Sequence, residues 1–97
     1  MVDEGVAAVN RVLFERWDPM GVRAEDPHWP ADEYEGYAAG VLGLFRHGAS
    51  DDVVAEHLAA IETEWMGLSP SPLAHRLEVA RAIRAALATL RERDTAE

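Results

Sequence analysis

Side chains able to do chemistry are sparse in this chain of 97 residues: four histidines, eighteen carboxylates, a few hydroxyls and no cysteine. Without cysteine there is no thiol nucleophile, thiolate metal site or disulfide. A zinc site on a helix needs two histidines three or four residues apart, usually as His-Glu-x-x-His, because that spacing turns both rings toward one ion. His28, His47, His57 and His75 have no such neighbour. The nearest approach to a ligand set is His57 with Glu62 and Glu64, on neighbouring turns of one helix. Those three side chains define one reading, a small metal-binding or hydrolytic domain. The hydroxyls Ser50, Thr63, Ser69, Ser71 and Thr89 lie outside any Gly-x-Ser-x-Gly elbow, the turn that presents a nucleophilic serine. The carboxylates of Asp32, Glu33 and Glu35, and of Asp51 and Asp52, fall at expected helix starts, where acidic groups face the positive end of the helix dipole. No catalytic residue and no cofactor are implied, and the chain reads as a non-enzyme.

The elements that carry these residues are helices. Val6, Val9, Leu13 and Trp17, at spacings of three and four, give a first helix from about Asp3 to Trp17, ended by Asp18-Pro19. Pro19, Gly21, Pro27 and Pro30 make residues 18 to 30 a long loop, with Trp29 as the anchor that holds it to the core. A second helix, about Ala31 to His47, carries an apolar stripe of Tyr34, Tyr37, Ala38, Val41, Leu44 and Phe45, and Gly48 ends it. Its other face holds Gly36, Ala39, Gly40 and Gly43. Glycine weakens a helix by up to about 1 kcal/mol relative to alanine, so close contact with another helix is expected there, with the fourth helix favoured over a second copy of the chain. Ser50 caps a third helix whose buried face is Val54, Leu58, Ile61 and Trp65, and Gly67 stops it. Ser71 as cap and Pro72 at the first helical position open a fourth helix reaching about Arg93. No stretch alternates convincingly as a strand. The expected architecture is an all-α, compact bundle of about four helices, with a long loop between the first and second, forming one domain over residues 1–97.

Hydrophobic residues make up 48% of the chain and charged residues 28%, a globular composition. All nine basic residues are arginine, which we read as the codon bias of a GC-rich genome. Residues 1 to 68 carry 14 acidic and 4 basic side chains, against 4 and 5 in the remainder. Such acidity repels phosphate backbones and anionic lipid, so neither nucleic acid nor membrane is an expected partner. It suits either solubility alone or a basic protein partner, with pairing of two identical chains as a further option. The absence of a long apolar run or a basic leader at the start points to the cytoplasm.

Trp17 to Val22, reading Trp-Asp-Pro-Met-Gly-Val, and Pro30 to Tyr34, reading Pro-Ala-Asp-Glu-Tyr, resemble a family of small bacterial proteins of unknown function. Leu44 to Ser50 and Ile61 to Leu68 are similar to later segments of that family, so the likeness spans roughly residues 9 to 68. It implies a small helical fold in a bacterial cell and brings no catalytic residues. Laid on the helices, the two motifs gather Asp18, Asp26, Asp32 and Glu33 around Trp17, Trp29 and Tyr34. Acidic groups around aromatic anchors can hold a basic protein segment. The same residues also serve, more simply, to pack the loop and cap its turns. The leading functional expectation is therefore an immunity- or antitoxin-like protein that restrains a basic partner.

Overall fold

Why helix and where each ends can be read from a few residues. The computed structural model describes residues 4–17 and 34–95, so the expected loop and the first residues of the second helix lie outside it. Helix α1, Glu4–Val12, continues as a wider π-helical turn, Leu13–Trp17. Helix α2 is Glu35–Arg46, and α3, Asp51–Ala60, again continues as a π-helical turn, Ile61–Trp65. Helix α4 is Leu73–Thr95, and no strand occurs among the described residues. The described residues form an all-α bundle of four helices. None of these helices is long and apolar enough to cross a membrane.

Helix α2 ends as its glycine requires. Gly48 adopts φ +79°, a left-handed conformation that costs a residue with a Cβ, and this turns the next two amides back. The Gly48 N–H donates to the Phe45 carbonyl at 3.1 Å and the Ala49 N–H to the Leu44 carbonyl at 2.9 Å, satisfying the last carbonyls of the helix in a Schellman motif. Two residues later Ser50 is in extended conformation, and its hydroxyl accepts the Val53 N–H at 3.3 Å, capping α3 as expected.

Helix α1 is the centre of the bundle, packing against both α2 and α4, while α3 packs against α4. Val9 and Leu13 from α1 and its π turn, Val41 from α2, Leu58 from α3 and Ile83 from α4 are fully buried and meet in one core. Leu44, expected in that core, is only partly buried. Consecutive helices α2 and α3 touch little, so the order in space is α2, α1, α4, α3.

Two expectations are corrected. Trp65, placed on the buried face of the third helix by its seven-residue spacing from Leu58, is 75% exposed. A π turn hydrogen-bonds to the fifth residue on, as in the 3.0 Å bond from the Met66 N–H to the Ile61 carbonyl, so each turn takes up an extra residue and the stripe falls out of phase. Ile61 stays inside and Trp65 is carried outward. The small-residue face of α2 is likewise open: Gly36, Ala39 and Gly40 are exposed, and the principal neighbour of α2 is α1 rather than α4. A Cβ at Gly36 or Gly43 would meet nothing within 4 Å, and one at Gly40 only the His57 ring at 3.8 Å.

Gly40→Ala is therefore expected to stabilise the protein by up to about 1 kcal/mol in thermal or urea unfolding, through helix propensity. A loss of stability would mean that the face is covered in solution. Leu58→Ala, which empties a fully enclosed site, should cost about 2 to 5 kcal/mol, and a loss below about 1 kcal/mol would contradict the packing described.

Candidate functional site

Glu62 lies four residues after Leu58 and seven after Ala55, which puts it on the inward stripe of α3 among apolar residues. It is the one charged side chain buried among the described residues, at 1% exposure. A carboxylate enclosed in protein must replace its water with donors or lose several kcal/mol. Three donors supply that need. The Trp17 indole N–H donates to Oε2 at 2.7 Å, the Ser71 hydroxyl to the same oxygen at 2.9 Å, and the Ser71 backbone N–H to Oε1 at 2.5 Å.

Each donor is itself held in place. Trp17 closes the π turn of α1, and its ring packs against Tyr34 at 5.5 Å, tilted by 57°, and edge-on against Tyr37 at 6.4 Å. Ser71 reaches Glu62 because Gly67, at φ +69°, reverses the chain and lets the Leu68 N–H donate to the Glu62 carbonyl at 2.8 Å. The Ser71 carbonyl accepts from the Arg76 guanidinium, whose Nε also donates to the Ala55 carbonyl at 3.0 Å. Ser71 was expected to cap α4, yet its hydroxyl turns toward Glu62 instead. One carboxylate thus ties α1, the end of α3, the 66–72 linker and the start of α4.

With both oxygens engaged and almost no exposed surface, Glu62 has no face to offer a substrate or an ion. Glu64, two residues on, points to solvent, and His57 is half-buried against α2. The set of His57, Glu62 and Glu64 therefore does not converge. Among the described residues no group of three or more histidines or carboxylates is placed to hold a metal ion.

Of the residues expected to form a partner surface, Trp17 and Tyr34 are buried in the core, where they pack against each other. Asp18, Asp26, Trp29, Asp32 and Glu33 lie outside the described residues. Among the described residues the exposed aromatic is Trp65, accompanied on the same stretch of chain by exposed Leu68 and Leu73. Sequence reasoning had counted Trp65 with the core, and its proximity to Gly67 was the available sign that the helix was about to end. Glu62 was legible by its spacing from Leu58, a signal outweighed by its charge.

Compared with known proteins, the chain matches no family model, no curated protein and no solved structure.

Trp17→Phe and Glu62→Gln should each lower the unfolding free energy by about 1 to 3 kcal/mol, since each leaves a buried polar group without its partner. Made together they should cost less than the two losses added, with a coupling of about 0.5 to 3 kcal/mol in a urea double-mutant cycle. Strictly additive losses would show that the indole and the carboxylate do not act as one unit.

Proposed function

We propose that this protein is a non-enzymatic interaction module that binds and restrains a basic protein partner, as small immunity proteins and antitoxin-like inhibitors do. The observation that carries the reading is Trp65, a large aromatic side chain 75% exposed at the end of an acidic helix. Tryptophan is costly to leave in water and is enriched among residues that anchor interfaces.

Its surroundings fit the same chemistry. Asp52, Glu56 and Glu64 are exposed along α3, with Val53 beside them at 45% exposure. Spacings of four place Asp52 and Glu56 on one side of the helix. An apolar anchor with acidic groups along the same helix matches a basic segment that carries its own apolar residue: burial gives affinity, and the opposite charges steer the approach. The formal net charge of −9 extends that steering beyond the contact itself. Helix α3 thereby offers an exposed anchor where Trp17 and Tyr34, two of the seven residues expected to form the partner surface, are enclosed.

Affinity capture from the source cells should compare the wild type with Trp65→Ala at about 50 and 500 mM salt, where screening of exposed charges differs several-fold. The expected result is a basic protein retained by the wild type, reduced about tenfold or more by Trp65→Ala and released at high salt. Trp65→Ala itself should unfold within about 0.5 kcal/mol of the wild type, because the side chain is exposed. Equal capture by both proteins, or a partner that is acidic, would overturn the reading.

A further inference from the structure

Along the side of the bundle where α2 and α4 approach the start of α1, the charge reverses. Arg46, Arg84 and Arg91 line a cleft of about 520 Å³. Among the described residues Glu4 is the carboxylate in its lining, and Phe45, Leu87 and Leu90, all partly exposed, supply the apolar part. A cleft of about 300 to 1,000 Å³ with an apolar floor and a few converging polar groups is the usual form of a small-molecule site. We infer that this cleft binds an amphiphilic organic anion, an acid whose apolar body lies on Phe45, Leu87 and Leu90 and whose anionic head meets the arginines.

Arg84 is held in a defined orientation by the protein. Its Nε donates to Asp51 Oδ1 at 2.9 Å and a terminal nitrogen to the Ala49 carbonyl at 3.0 Å, while the guanidinium lies 4.9 Å from the centre of the Phe45 ring. A guanidinium carries five N–H donors in a planar fork, so two bonds fix its orientation and leave three for an anion. The side chain is thus ordered before any ligand arrives, which removes part of the entropic cost of binding. The surrounding protein sharpens the choice of ligand. A chain of net charge −9 repels small anions in general, so an anion is retained only where arginines gather. The apolar floor adds a demand that inorganic phosphate does not meet. The cleft lies on residues other than those proposed to bind the basic partner, and neither reading depends on the other.

Octanoate titrated into the ¹⁵N-labelled protein should give saturable shifts confined to amides around Phe45, Leu87 and Arg91, with a dissociation constant below about 1 mM. Octyltrimethylammonium, with the same tail and the opposite charge, should leave those amides in place. Inorganic phosphate should bind about tenfold more weakly than octanoate or not at all. The double variant Arg46→Gln/Arg91→Gln, at exposed positions, should weaken octanoate about tenfold while its amide spectrum stays that of the folded protein. No saturable shift by about 10 mM, shifts that map elsewhere, an equal response to the cation or to phosphate, or an unchanged affinity in the variant would each overturn the inference.

Discussion

A carboxylate taken out of water must find donors inside the protein, and in this bundle three donors come from two distant parts of the chain at once. Glu62 collects an indole N–H from the end of α1, and a hydroxyl and an amide from the linker before α4. Removing any one of these groups leaves the others in an enclosed site with an unmet hydrogen bond, which costs more than the bond contributes when formed. The positions of Trp17 and Ser71 are consequently not independent. The turn geometry that delivers each of them follows from the same requirement: the π-helical end of α1 sets the indole, and the left-handed Gly67 brings Ser71 back over the carboxylate.

The two π-helical turns differ in how legible they were in the sequence. Apolar spacing of three and four names the buried side correctly at Val9, Leu13 and Trp17 and again at Val54, Leu58 and Ile61, and Gly48 and Ser50 mark the turn between α2 and α3. After Ile61 the helical repeat changes, and a fixed period misplaces Trp65. No residue type encodes a π turn clearly, and the two π turns here carry the two ends of the Trp17–Glu62 bond. The open glycine face of α2 has a different cause. Small residues permit close packing without compelling it, and which helix lies beside α2 is decided by the larger apolar stripe of Tyr34, Ala38 and Val41 against α1.

The polar surface is sorted by sign more clearly than the residue order suggests. Acidic groups lie exposed along α3, while Arg84 and Arg91 of α4 and Arg46 of α2 border the cleft near the start of α1. Arg84 links the two regions, because it pairs with Asp51 in the first turn of α3 while its guanidinium covers Phe45. For the candidate sites, spacing located the carboxylates, but only the fold shows that Glu62 is enclosed and Glu64 is not.

The reach of the Glu62 contacts along the chain bears on how the molecule opens. The bond to Trp17 spans 45 residues and those to Ser71 span nine. Linkers between helices ordinarily breathe by themselves, with small local opening free energies. Here, lifting the 66–72 segment strips donors from a buried carboxylate that also holds the end of α1. The linker is therefore coupled to the central helix, and its bonded amides at Leu68 and Ser71 open together with the Glu62 site instead of exchanging as those of a surface loop would.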